Sequence, residues 1–476
     1  MNIRTLFKDS AIYGIGNFVF KAISFLVFPL YTHALSVSDF GVMELIVTAV
    51  GVVALTTNLG LNNAVQRFYL DKDTEKHEQP VLVTTGLVCM NAWGSMMFVI
   101  SAYVVYVFRD WLLQNYELNY IYILVALGTV LFQQNISYCL DLIRLYFRPL
   151  TFAMLSAGSS MMNVLLCLLF LLYMYWGVLG YFLAAGISCM IMFPIALFAI
   201  RRDIVLQFDI KWAKTLVRFG YPFIFAGLAY WALSSVDRWM LATYTSNTET
   251  GLYSVGAKFA SIVVFLNTAI SQAWSPFMIK LYVEDKKYKE KIAYIYSIYL
   301  VCISCVGIVL CLFAKDILVM LTPEAYWPAA TTLSILSMGA VIYGTTQFSV
   351  IGISLEKRTT WLSYVSAGVL VINILFNFML IPSYGADGAA LAMAISYLCM
   401  TVFYFVCTNK LHYIPYNYAI NIVCLMLLLG ASSITVLNDI YGYDYITFFT
   451  RSIIAFVVFG VMVIVLYMHK RNVVIE

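Results

Sequence analysis

Apolar stretches of about 18 residues or more recur from one end of this 476-residue chain to the other, each long enough to cross a hydrocarbon core of about 30 Å. Such runs are centred near Lys21, Gly51, Gly94, Leu131, Asn163, Ile187, Leu228, Phe265, Val306, Ile342, Leu370, Ser396, Leu427 and Val457. The fold expected is an all-α polytopic membrane protein of about 14 transmembrane helices. A chain 63% hydrophobic and only 11% charged is not an ordinary soluble domain. The connections between runs are short and leave no room for a soluble catalytic domain.

The Lys and Arg residues orient the chain. With the N-terminus inside, 22 of the 28 fall in inner segments. Three fall outside (Arg109, Lys315, Arg451) and three in the membrane (Lys21, Arg238, Lys258). That asymmetry puts both termini on the cytoplasmic side. The formal charge of +4 then belongs to inner loops and does not indicate nucleic acid. The first run lacks a small-residue cleavage site and reads as a retained helix. Cys302 and Cys305 lie inside an apolar run with no His or acidic neighbour, so they read as small apolar side chains and not as a metal or redox pair.

Sliding the chain against itself by 210 residues gives a long, weak match. Lys8 falls on Arg218, Gly41 on Gly251, Arg148 on Arg358, and Ser156-Ala157-Gly158 on Ser366-Ala367-Gly368. After a two-residue gap, Gly177, Gly180 and Ser188 meet Gly385, Gly388 and Ser396. The organisation expected is an N-terminal lobe of six helices (1–205), a second lobe of six (206–410), and two further helices with a cytoplasmic tail (411–476). Six is even, so the lobes are related by an axis along the membrane normal.

Polar residues fall on stripes. Ser254, Lys258, Ser261, Phe265, Thr268 and Gln272 recur at steps of four and three. Their repeat partners are Glu44, Thr48, Gly51, Leu55, Asn58 and Asn62. The first helix adds Tyr13, Asn17, Lys21 and Ser24, and the seventh adds Tyr230, Ser234, Asp237 and Arg238. Ser, Thr and Gly read equally well as glue between helices. Lys21, Glu44, Arg238 and Lys258 instead argue for a watery interior, since a charge at the centre of a spanning helix costs about 2.5–3.5 kcal/mol on insertion scales. Asp141, Arg144 and Arg67 mark the inner mouth, while Glu44, Asp141 and Asp237 are candidates for ion coupling or charge pairing. Cations exceed free acids in this interior if Asp237 or Glu44 pairs with a base, which suits a phosphate or diphosphate and repels organic cations.

Four segments carry a family resemblance: Leu35 to Gly41, Gly60 to Tyr69, Asp237-Arg238 with Gly251 to Lys258, and Thr322 to Ala330. In their order and spacing the chain resembles the polysaccharide-exporter branch of the multidrug, oligosaccharidyl-lipid and polysaccharide flippase superfamily. Within it, the bacterial O-antigen and capsule repeat-unit flippases are similar. The resemblance implies two lobes working by alternating access, and a polyprenyl-diphosphate-linked oligosaccharide turned from the inner to the outer leaflet. It also implies ion gradients in place of ATP, and the chain has no G-x-x-x-x-G-K-[ST] phosphate loop. From lipid II flippases comes the further expectation that helices thirteen and fourteen offer a groove to the lipid tail.

The expected protein is therefore a flippase and not an enzyme, with no cofactor beyond H+ or Na+ coupling. Its partners are the lipid-linked sugar, membrane lipids and, as a further candidate, the polysaccharide polymerase or export machinery. Lys21, Arg238 and Lys258 would engage the diphosphate, with Asn17, Asn58, Asn62 and Gln272 on the sugars. The alternative is an ion-coupled multidrug or metabolite antiporter of the same fold, kept open by Glu44, Asp141 and Asp237.

Overall fold

The computed structural model describes Phe25 and residues 27–71, 74–356, 358, 360–442 and 446–474, the side chains at 226, 229, 230, 273, 275, 276 and 463–474 excepted. Lys21 and Asn17, with Tyr13 and Ser24, lie outside the described residues. Among the described residues every regular element is a helix. In chain order they are α1 (Val37–Asn58), α2 (Leu61–Tyr69), α3 (Gln79–Val107), α4 (Arg109–Tyr116), α5 (Tyr120–Leu145) and α6 (Pro149–Leu168). Next come α7 (Gly177–Ile200), α8 (Ile210–Gly220), α9 (Pro222–Tyr244), α10 (Asn247–Glu284), α11 (Tyr288–Leu312) and α12 (Ala314–Leu321). The series closes with α13 (Ala329–Gly344), α14 (Thr346–Ser349), α15 (Ile351–Leu355), α16 (Thr360–Leu411), α17 (Tyr418–Tyr441) and α18 (Phe448–Val474). Ten spans among the described residues are long and apolar enough to cross a membrane.

Helix starts recur along the chain. α1, α3, α5 and α6 open at Val37, Gln79, Tyr120 and Pro149; α10, α11, α13 and α16 open 210, 209, 209 and 211 residues later. The first pair of starts has a common cause. Ser36 and Ser246 each cap their helix by accepting from the backbone N–H three residues on, at Asp39 and Glu249. The last pair shares a backbone feature, since Gly177 opens α7 at φ +54° and Gly385 interrupts α16 at φ +53°. Only glycine takes that conformation at no steric cost. The 52-residue α16 is thus two helices joined at Gly385.

Contacts divide the chain into two compact units, Met1–Val236 and Asp237–Glu476. α9 runs through that boundary.

In the first unit α2, α3, α5, α6, α7 and α8 share a core around Leu61, Val65, Leu82, Tyr138, Ile143, Phe152 and Leu216. Lipid solvates leucine as well as a protein interior does, so close fit holds such helices together. Gly86 shows this: a Cβ there would lie 2.6 Å from the Tyr138 hydroxyl and 2.7 Å from Val65 Cγ2. The Tyr138 hydroxyl in turn donates to the Val83 carbonyl at 2.7 Å. α1 and α2 are separated by Leu59 and Gly60, both left-handed (φ +51° and +64°). Gly60 meets Gly220 of α8 backbone to backbone; a Cβ on Gly60 would sit 2.3 Å from the Gly220 oxygen.

The second unit gathers α10, α11, α13, α16, α17 and α18. Ser334 of α13 donates to Ser432 of α17 at 3.1 Å. Arg451, counted outside on sequence, stands on the first turn of α18, 2% exposed, forked onto Asp316 of α12 and donating to the Leu312 carbonyl at 3.0 Å. Three helix ends meet at His412, whose ring nitrogens lie 2.9 Å from Glu356 Oε1 and 2.8 Å from the Tyr288 hydroxyl. The turn from α10 to α11 is held by Asp285, which accepts from Lys291 and from the Lys287 N–H; these bonds hold its carboxyl below the usual carboxylate range.

Candidate functional site

α9 places Asp237 and Arg238 next to each other, and a helix turns about 100° per residue, so their side chains diverge. Both meet the first turns of α10. Asp237 is fully buried, and its carboxylate is taken by neutral donors: the Tyr253 hydroxyl at 2.7 Å and the Asn377 side-chain amide. Asn377 also donates to Asn373, one helical turn earlier on α16, at 3.1 Å. Asn373 Nδ2 and Asn377 Oδ1 are buried with no hydrogen-bond partner. Arg238 is half-buried, donates from Nε to Ser254 Oγ at 3.2 Å, and holds its guanidinium 5.7 Å from the centre of the Tyr253 ring.

The α10 stripe divides along its length. Ser254 is buried at its start. Beyond it Lys258, Ser261, Thr268 and Gln272 are exposed and Phe265 is half-buried. Phe259, Val263 and Asn267 bury the opposite face, where the Asn267 amide donates to the Ala340 carbonyl at 3.0 Å and accepts from Tyr299 at 2.7 Å. A lysine thus stands on the open face of a membrane-length helix whose other face is packed.

In the first unit the corresponding α1 stripe is covered. Glu44 and Thr48 are buried. Trp231 of α9 lies 3.4 Å from where a Cβ on Gly51 would stand, and its indole N–H donates to the Thr48 carbonyl at 2.9 Å. Asn58 donates to Gln134 at 2.9 Å, and Gln134 to the Ala54 carbonyl at 3.1 Å. Asn62 donates to Asp141 at 2.8 Å and Arg144 to the same carboxylate at 3.4 Å, while its guanidinium stacks 4.4 Å over Phe152. Asn62 Oδ1 is buried without a partner. Arg67 is exposed and pairs with Asp71 at 3.0 Å. The structure therefore brings together Asn62, Asp141 and Arg144 in one unit, and Asp237, Arg238, Tyr253 and Ser254 in the other.

Sequence reasoning missed Asn377 and Tyr253 as partners of Asp237. A signal was present: Asn373 and Asn377, four apart in an apolar run, share one helix face. It also missed Glu249, whose Oε2 accepts from the Ala386 N–H at 2.7 Å and so anchors the restart of α16 after Gly385.

Residues 30–331, more than half the chain, match the sequence profile of a family described as polysaccharide biosynthesis protein. The chain belongs to that family. It is similar to an uncharacterized membrane protein of Methanocaldococcus jannaschii, 21% identical over 441 residues and 85% of each chain. A Haemophilus influenzae membrane protein, also uncharacterized, is 24% identical over 280 residues, which is 58% of this chain and 65% of that one. Among solved structures, the fold is similar to "Lipid II flippase MurJ, inward closed conformation", with TM-score 0.73 and 13% identity over 97% of this chain and 99% of that one. It is also similar to an inward-facing multidrug resistance MATE family transporter of the MOP superfamily (TM-score 0.61, 14% identity, 81% and 93% covered). The chain is thus an all-helical multi-pass membrane protein with the fold of flippases and MATE transporters.

Proposed function

We propose that the protein is a flippase that carries a polyprenyl-diphosphate-linked oligosaccharide from the inner to the outer leaflet of a bacterial plasma membrane. Lobes 1–205 and 206–410 would alternate access, 411–476 would supply the two extra helices, and both termini would be cytoplasmic. The observation that carries this reading is Lys258, exposed on a membrane-length helix together with Ser261, Thr268 and Gln272. An exposed lysine on such a helix marks a watery cavity, and a diphosphate followed by sugar hydroxyls matches a lysine followed by polar groups. The polysaccharide family and the fold shared with a lipid II flippase support it.

Lys21, Arg238 and Lys258 engage the diphosphate in this scheme, with Asn17, Asn58, Asn62 and Gln272 toward the sugars. Binding alone cannot set direction, because a ligand shifts two states only by its difference in affinity between them. Asp237 is our candidate for coupling to H+ or Na+, being a buried acid with an orphan acceptor, Asn377 Oδ1, beside it. Glu44 and Asp141 serve charge pairing. Arg67 and Arg144 sit at the inner mouth.

The test is transport in cells or proteoliposomes. Lys21→Ala and Lys258→Ala abolish flipping of the lipid-linked sugar while the protein still inserts, and Lys258→Arg keeps part of it. Full activity in both alanine variants would sink the anion reading. The buried Asp237 also favours the second reading, an ion-coupled antiporter; export of cationic drugs lost in Asp237→Asn and unaffected by Lys258→Ala would select it. Deleting the gene and identifying the lipid-linked sugar left on the inner leaflet names the substrate.

A further inference from the structure

The connection between α7 and α9 is short and basic. Residues 201–221 hold five bases, Arg201, Arg202, Lys211, Lys214 and Arg218, and two acids. Both acids are engaged within the protein. Asp203 accepts from the Tyr69 hydroxyl at 3.0 Å, and Asp209 caps α8 by accepting from the Lys211 N–H at 2.7 Å.

α8 buries one face, Ala213, Leu216 and Gly220, on α2 and α3. Its other face is open and carries Lys211, Lys214 and Arg218, residues three, four and seven apart and hence neighbours. A shallow hollow of about 450 Å³ lies there, lined by Ala213, Lys214, Val217, Arg218 and Tyr221. Beside these charges the same segment exposes apolar side chains, with Leu206 fully open, Ile210 59% and Phe208 52% exposed. Bases on the free face of a short helix, with large apolar side chains exposed at its first residue and just before it, have the makeup of an interfacial segment. A soluble phosphate would satisfy the bases and leave Leu206, Phe208 and Ile210 in water. A lipid satisfies both.

We propose that α8 is a docking surface for an anionic phospholipid of the leaflet it borders, the headgroup phosphate held in the hollow by Lys214 and Arg218. The lipid would bear on the rest of the unit directly. α8 touches the α1–α2 break through the Gly60–Gly220 backbone contact, and α2 again where Phe68 packs against Trp212 and Phe219 at 6.1 and 5.5 Å between ring centres. A bound headgroup therefore steadies the bend between α1 and α2.

The test is native mass spectrometry of the full chain in detergent, titrated with dioleoyl phosphatidylglycerol, dioleoyl phosphatidylcholine or inorganic phosphate. Phosphatidylglycerol binds in preference to phosphatidylcholine. The double change Lys214→Gln/Arg218→Gln weakens it by about 30-fold, and either single change by about fivefold, from the worth of a base at an anionic surface. Lys214→Arg/Arg218→Lys retains binding, and Lys286→Gln/Lys287→Gln, in another basic turn, leaves it unchanged. The single variants report should the double variant fail to fold. Equal affinity for the two lipids overturns the proposal, as does competition by millimolar phosphate that empties the site. Equal loss in the Lys286/Lys287 control would show a diffuse charge effect and overturn it too.

Discussion

Asp237 is fully buried and takes its hydrogen bonds from Tyr253 and Asn377. Hydrogen bonds to a charged group are worth about 1.5–3 kcal/mol each, and more is lost when a buried partner is left bare. Tyr253→Phe should therefore lower stability in detergent by about 1.5–3 kcal/mol, read as an earlier thermal transition of purified protein. If Asp237 is neutral when its donors bind, Asp237→Asn folds normally and only the pH or Na+ dependence of transport changes. If it is charged, the variant is destabilised like Tyr253→Phe. The sequence made Asp237 conspicuous, because an acid in an apolar run is rare. It could not reveal Asn377, 140 residues away, because an amide on a spanning helix is equally at home against any neighbour. Likewise Glu44 and Asn62 were legible as unusual residues, but that Trp231 covers their stripe and Asp141 receives Asn62 are facts of packing.

Helices here are punctuated by backbone rules that a sequence displays well. Ser36 and Ser246, each followed three residues later by an acid, mark helix starts unaided. Breaks at glycine are less plain, since most of the 26 glycines sit inside helices. What sets Gly60 apart is a neighbour: alanine there would carry a left-handed strain and press into the Gly220 carbonyl. Gly60→Ala is expected to cost at least about 1 kcal/mol from the backbone alone, and more from the clash. Reduced membrane yield of Gly60→Ala, against a silent Gly128→Ala whose surroundings are open, checks it. A second element-scale outcome concerns α12 and α18. Arg451→Met takes the fork from the half-buried Asp316 carboxylate and should cost about 1.5–3 kcal/mol, whereas Arg451→Met with Asp316→Leu recovers most of it. A thermal-shift series on the single and double variants measures this. The sequence made Arg451 visible as a cation near a span end, but its burial depends on a partner 135 residues away.

The apolar runs, the recurrence of helix starts and the family were readable from the chain because each is a pattern in sequence order. Where the halves divide mechanically was not. Repeat arithmetic places a boundary at 205/206, yet α8 contributes Leu216 to the first unit's core and seals Gly60. Co-expressed pieces 1–221 and 222–476 should therefore reconstitute a membrane-inserted, co-purifying pair in better yield than 1–205 and 206–476. Equal recovery of both splits would mean that α8 contributes nothing to the first unit's stability. The two capping acids carry a further consequence. Asp39 spends its carboxylate on Ser36 beside it, accepting from the hydroxyl at 2.7 Å. Its twin Glu249, longer by one methylene, reaches 137 residues along the chain to hold the resumption of α16. The two equivalent start signals thus differ in reach, so loss of the Asp39 carboxylate loosens one helix start while loss of the Glu249 carboxylate loosens two.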